Sequence, residues 1–244
     1  MEVKVAGSTL VEKAERGVAA LRREGPVQAV LGRVQRVIAP VVACHPYHVY
    51  DTPVPALPRP FGVPATVGLR VHQGPADLEA VWDLLGRGGE TPRDRVARRL
   101  ERGDLAVVAH AGPELAGYTW VALADAWVPE LQLVMMLRSG EAMHHDAFVP
   151  PAWQGQRLHS ILVAAATEAA RARGCTRELA YISPLNRRAM RLPVRLGWRR
   201  ALTMVCVQPR HGRPRWLTLG GDPWQRFREP HLRRARTELA AGVA

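Results

Sequence analysis

The chain has 244 residues, 47% hydrophobic and 23% charged, which suits one large core with an extension and excludes a disordered or fibrous chain. No window approaches the roughly eighteen uninterrupted apolar residues that a membrane-spanning helix needs. The formal charge is +12, from 34 Lys+Arg against 22 Asp+Glu, a balance that invites an acidic partner.

Lys4 and Lys13 are the only lysines, and so much Arg beside abundant Ala, Val, Gly and Pro resembles the codon habit of a GC-rich genome. The position of the charge is therefore more informative than its total. Residues 1–64 sum to +3 and residues 65–178 to −2, whereas residues 179–221 hold nine Arg and no acid. Residues 222–244 add +2.

In chain order, Ser8 or Thr9 caps an expected helix running to about Arg23, with Leu10, Val11, Ala14, Val18 and Leu21 as its apolar stripe. Pro26 opens a second, VQAVLGRVQRVIAPVVA. The pair is expected to pack on the main domain, or to touch a membrane surface or a partner. Prolines at 46, 53, 55, 58, 60 and 64 predict an extended linker, because proline neither continues a helix nor donates to a central strand. Residues 1–64 thus read as a helical extension with a linker, residues 65–220 as the main domain, and residues 221–244 as a basic C-terminal helix.

Within the main domain TVGLRVHQ predicts a strand, and PADLEAVWDLL and TPRDRVARRLERG predict two helices. DLAVVAHA and ELAGYTWVALAD form a hairpin around Gly112-Pro113, and PELQLVMML and EAMHHDAFV are two further strands. GQRLHSILVAAATEAARAR is a long helix stopped by Gly174, followed by strand ELAYIS, helix LNRRAMRLPVRLG and strands ALTMVCVQ and RWLTL. This order predicts an α/β fold with a mixed, mainly antiparallel sheet.

Cys44, Cys175 and Cys206 are too widely spaced for a disulfide framework or zinc knuckle, and the odd count with no secretory signal predicts a cytoplasmic protein. CHPYH at 44–48 lacks an evident fourth ligand, so no metal is expected.

The chemistry is expected between Asp146 and Trp198. A strand ending at Phe148 and Val149 runs through a polar, glycine-containing turn into the long helix, an arrangement that offers unpaired N–H groups to an anion. VPPAWQGQRLH, then GCTRELAYIS, then NRRAMRLPVRLGW resembles the GNAT acyltransferase superfamily over about residues 66–208. Gln154, Gly155, Asn186, Ala189, Gly197 and Trp198 fall on its anchor positions. Two departures stand out. Arg157 and His159 replace small residues of the loop, and the usual general-acid Tyr falls on Pro193.

The resemblance implies acetyl-CoA or another acyl-CoA as donor and an amine as acceptor. It implies that the donor lies between splayed strands, against Phe148, Val149, Gln154, Gly155, Gln156, Arg157, Leu158, His159 and Asn186, with the thioester carbonyl polarised by backbone N–H near Val149. It also places Tyr118 and Trp120 on the hairpin face that meets the acceptor, where plain sheet residues fit equally well.

Strict alternation sets Met143, His145, Ala147 and Val149 on one face and His144, Asp146 and Phe148 on the other. The arylalkylamine branch of the superfamily carries a proton-path His at the place of His145, which is the expected base; Glu141 is the alternative through a water chain. His144 is expected to pair with Asp146 or line the core. Competing readings are a nucleic-acid-binding module using the basic block, and a membrane-peripheral acyltransferase served by acyl carrier protein.

Overall fold

The computed structural model describes residues 42–54, 62–85 and 92–228. The two N-terminal helices (except residues 42 and 43, which fall in a strand) and residues 229–244 of the expected C-terminal helix lie outside these residues; its first part, residues 221–228, is instead a 3-10 turn at Pro223–Gln225 and a short strand at Phe227–Arg228.

Eight strands form the main sheet: β1 (Val42–Pro53), β2 (Gly68–Gln73), β3 (Leu105–Ala111), β4 (Glu114–Ala122), β7 (Glu141–Phe148), β8 (Arg177–Ile182), β9 (Arg200–Pro209) and β10 (Arg215–Leu219). Their order is β10-β9-β1-β8-β7-β4-β3-β2. Every neighbouring pair is antiparallel except β7–β8, which the helix α3 (Leu158–Arg171) connects as a parallel crossover. A second sheet joins β5 (Ala126–Val128), β6 (Leu133–Met135) and β11 (Phe227–Arg228). This is an α/β fold with a mainly antiparallel central sheet.

Side-chain alternation builds two layers on that sheet. On one face α3 sets Leu158, Leu162, Ala166 and Ala170 against Val107, Ala109 and Ala142. Beside it, α4 (Arg191–Leu196) sets Leu192 and Leu196 against Tyr50 and Ala180. On the other face α1 (Leu78–Leu85) and α2 (Arg93–Glu101) bury Val81, Leu85, Val96 and Leu100 against Val108, Tyr118 and Trp120. The small sheet covers the rest, with Leu133, Met135 and Phe227 on Val49, Met143 and Met204. Each large side chain buried this way contributes about 1.5–3 kcal/mol.

The expected linker begins too early. Residues 46–53 are not surface chain but part of β1, which sits between β8 and β9. The hydrogen bonds of Asp51 N–H to Arg199 (3.1 Å) and Val54 N–H to Thr176 (2.8 Å) set odd-numbered β1 nitrogens toward β9 and even-numbered ones toward β8. Pro46 therefore turns its bare nitrogen to the β8 side, where pairing starts only at His48. Pro53 turns its own to the β9 side, where register pairing ends at Tyr50. Neither proline removes a ladder bond, because each half of β1 is an edge on the side that matters.

Pro193 is tolerated for a similar reason. It lies in the first turn of α4, where backbone N–H groups have no intrahelical partner.

Among the described residues no cysteine forms a disulfide, no group of three or more His, Cys, Asp or Glu is placed to hold a metal, and no helix is long and apolar enough to cross a membrane.

Candidate active site

Parallel pairing of β7 with β8 covers only Glu141–His144 against Arg177–Ala180. Both strands continue beyond it, β7 to Phe148 and β8 to Ile182, without pairing to each other. The two strands part here, so the backbone groups on their facing edges no longer pair with each other, while β7 stays paired to β4 and β8 to β1. On its other edge β7 carries a bulge: Trp120 faces His145 but Tyr118 faces Phe148, so three residues of β7 span two of β4. Asp146 absorbs the extra residue with a left-handed φ of 46°.

The bulge overturns the expected alternation. His145 and Phe148 share the α1/α2 face, where Phe148 meets Tyr118 with ring centroids 5.8 Å apart, and Val149 packs on the α3 face. Gly117 makes this possible. A Cβ there would stand 2.9 Å from the Phe148 carbonyl oxygen and 3.0 Å from Leu162, so any side chain would push the end of β7 outward.

His145 is buried, with 7% of its side chain exposed, and Nε2 lies 3.7 Å from Asp104. Asp104, fully buried at the start of β3, also accepts from Arg102 Nε at 3.0 Å. Ala122, the small residue between them on β4, leaves room for this diagonal reach. Burial pushes the His145 imidazole below its usual range; Asp104 opposes the shift and Arg99 reinforces it. Burial would raise the Asp104 carboxyl, but His145 and Arg102 outweigh it and hold it below the carboxylate range. Arg99 pairs with Asp146 at 2.5 Å and lies 5.0 Å above the Trp120 ring.

The loop after β7 runs through a 3-10 turn at Pro151–Trp153 into residues 154–157, all four exposed. Gly155 has φ 87° and Arg157, the residue before α3, has φ 62° with no side-chain cap. Gln154 is occupied at both ends: its Nε2 donates to the Val149 carbonyl at 3.0 Å, and its Oε1 accepts from Arg188. It braces the loop rather than facing outward. Gln156 is exposed beside it, whereas Leu158 sits in the core and can offer only backbone. Burial, then the neighbouring His144, lowers the His159 imidazole. Asn186 Oδ1 accepts the Ala189 N–H at 3.1 Å, capping the turn before α4.

Several expected site residues lie elsewhere. Glu141 is at the opposite end of β7, closed by two bonds from Arg226 at 2.7 and 2.8 Å, which corrects its reading as a base. Tyr118 and Trp120 are 3% and 0% exposed under α1 and α2, so neither ring is presented to an acceptor. His144 bonds Glu178 at 2.8 Å rather than Asp146, in the core beneath α3. Asp104, Arg99 and Arg188 were not singled out by sequence. The one available signal was Asp104, a lone acid opening an otherwise apolar strand.

Arg157 carries a test of the loop. A left-handed non-glycine residue costs about 1 kcal/mol, so Arg157→Gly is expected to raise unfolding stability by about that amount. If its guanidinium grips an anion, the same change weakens CoA binding about tenfold. Denaturant unfolding and calorimetry read the two effects separately; a gain in stability with unchanged CoA affinity means that Arg157 does not touch the phosphates.

Residues 78–198 match the acetyltransferase (GNAT) family. No curated protein matches the sequence. Among solved structures, the chain is similar to a GCN5-related N-acetyltransferase from Kribbella flavida, with 17% identity and TM-score 0.48, covering 72% of this chain and 63% of that one. It is also similar to a GNAT-family acetyltransferase from Colwellia psychrerythraea, with 15% identity and TM-score 0.47, covering 72% of this chain and 60% of that one. The chain thus spans about three fifths of the length of these structures. Residues 78–198 of this protein belong to the acetyltransferase (GNAT) family.

Proposed function

We propose that the chain is an N-acyltransferase that moves an acyl group, most simply acetyl, from acyl-CoA to an amine. The observation that carries this reading is the parting of β7 and β8 beyond His144 and Ala180, with the glycine-containing loop and the start of α3 directly after it.

The loop suits a pyrophosphate. Around Gly155 a Cβ would meet nothing within 4 Å, and left-handed Arg157 followed by the first turn of α3 gathers unpaired N–H groups in one concavity. Arg157 adds a guanidinium that matches phosphate oxygens. When bound, acyl-CoA supplies a thioester whose thiolate, being weakly basic, departs without an acid; this suits a chain with Pro193 at the family's Tyr position. Backbone N–H near Val149 polarises the thioester oxygen. His145, neutral because its pKa is depressed, accepts the amine proton as the amine nitrogen bonds the carbonyl carbon and the C–S pair leaves with sulfur. Asp104 stabilises the imidazolium that results.

Arg187, Arg188, Arg191, Arg195, Arg199 and Arg200 are exposed on and around α4. This charge favours an anionic donor, and the CoA phosphates or an acidic carrier protein would each answer it. The two tryptophans of the block are engaged inward: Trp198 is 8% exposed, and Trp216 donates to the Leu131 carbonyl at 2.7 Å. That weakens the nucleic-acid reading, which needs rings free to stack.

Thermal unfolding with acetyl-CoA, longer acyl-CoAs and desulfo-CoA is expected to show stabilisation, about 2.7 kcal/mol at a hundredfold excess over Kd. No shift with any of them, for folded protein, removes the acyl-CoA reading.

A further inference from the structure

The bulge at Asp146 decides more than the face that Phe148 takes. One extra residue in a strand also reverses the edge to which each later N–H and carbonyl points. The Phe148 carbonyl is turned toward β4, where a Cβ on Gly117 would stand 2.9 Å from its oxygen. By alternation the Val149 N–H and carbonyl turn the other way, to the edge where β7 no longer pairs with β8. The Val149 carbonyl there accepts from Gln154 Nε2 at 3.0 Å. In a strand without the bulge, the Val149 N–H would point at β4 instead.

Asp146 takes the extra residue at φ 46°, a left-handed value that Asp tolerates better than most side chains do. Arg99 reaches this residue from α2. Its helix is seated firmly on the sheet, since Val96 and Leu100 on either side of Arg99 are fully buried. The guanidinium passes over Trp120, 5.0 Å from the ring centre, and Nη1 donates to Asp146 Oδ2 at 2.5 Å. Trp120 is the β4 partner of His145, the residue just before the bulge. Arg99 is 13% exposed and Asp146 32%, so the bond is charge-assisted and partly shielded from water. One side chain thus ties α2, the ring opposite His145 and the left-handed residue together.

We propose that Arg99 is a positioning residue for acyl transfer: through Asp146 it holds the bulge that turns the Val149 N–H to the opening, where it polarises the thioester carbonyl. The inference rests on the acyl-transfer reading and adds the residue that aims the hydrogen-bond donor of that reading.

Infrared difference spectra of acetyl-CoA, isotope-labelled at the thioester carbonyl and bound to the full chain without any amine, read this polarisation without turnover. In the wild-type protein the carbonyl band is expected below its position in free acetyl-CoA. In Arg99→Met it is expected to return to the free position, while affinity falls by at most about tenfold, the worth of one hydrogen bond. Arg99→Lys, which keeps a cation within reach of Asp146, is expected to restore the lower band. Asp146→Ala, at a part-exposed position, removes the same tie from the other side and is expected to match Arg99→Met, which keeps the test open should Arg99→Met not fold. Arg98→Met, next to it on α2 but paired with Asp94 at 2.7 Å, is expected to leave the band low. A band that stays low in Arg99→Met and Asp146→Ala, or that rises equally in Arg98→Met, would overturn the assignment. A wild-type band at the free position with acetyl-CoA bound would overturn it too, and would leave donor binding intact. A chain that binds no acetyl-CoA loses the acyl-transfer reading itself, and this assignment with it.

Discussion

Replacing His145 by Ala is expected to lower turnover by about 10²–10⁴-fold while CoA affinity changes less than twofold. The asymmetry follows from position. In the proposed mechanism His145 stands on β7 where it parts from β8, and the donor phosphates lie instead on the exposed loop at 154–157. Its pH signature is also set. Burial depresses the imidazole, so the neutral, proton-accepting form persists below the ordinary His range, and the acid limb of kcat/KM is expected below about pH 6.5.

The same depression has a stability consequence of fixed sign. Between the unfolded value near 6.5 and the lower folded value, the unfolded chain binds the extra proton, so the contribution is complete above about pH 6.5 and is lost as pH falls. Asp104→Asn removes the carboxylate that opposes this depression, so it should move the acid limb to still lower pH while lowering the plateau turnover, because the imidazolium loses its partner. Turnover by His145→Ala equal to wild type, or an acid limb unchanged in that variant, would reject His145 as the base.

The second large effect concerns stability. Arg226→Met is expected to cost about 3–5 kcal/mol of unfolding free energy. Arg226 holds two bonds to Glu141, whose side chain is 2% exposed, and one of 2.5 Å to Asp51. It thereby ties the C-terminal segment to β7 and β1 at once. Removing it leaves the Glu141 carboxylate buried with the hydrogen bond from the Arg138 N–H at 2.9 Å, while Asp51 retains Arg177. Most of the expected cost is that stranded charge rather than the worth of the pair. The double change Arg226→Met with Glu141→Met should therefore unfold at higher denaturant than Arg226→Met alone. A single-variant cost under about 1 kcal/mol would show that water reaches Glu141 readily and that the tie is superficial.

Most main-domain elements were legible because their signals are local. The alternation of DLAVVAHA and ELAGYTWVALAD around Gly112-Pro113 is that of a hairpin, and β3 and β4 pair there. Gly174 and Gly197 end their helices with positive φ, as their positions imply. The proline-rich stretch misled because its meaning depends on what lies alongside. Pro46 and Pro53 exclude a strand only where both edges are paired, and which edge is paired depends on β8 and β9, more than 120 residues later in the chain.

The site divides in the same way. The turn from Val149 into α3, its glycine and its basic neighbours can be read from residue order, because an anion-binding helix start is a contiguous feature. That His145 lies on β7 follows from residue order; that it comes just after the last pair with β8 is a fact of the fold. What faces His145 is likewise decided by the fold. Asp104 reaches it across Ala122, Asp146 shifts the face of Phe148 by taking a left-handed bulge, and Arg226 closes Glu141 from 85 residues away. Burial alone then withdraws Trp120 from the acceptor.

The charge of +12 shows both sides. Its concentration in residues 179–221 is a property of composition and could be counted at once. That Asp51 and Glu141 share Arg226, from 175 and 85 residues away, could not be counted, because pairing is decided by the folded distances between groups and not by their numbers.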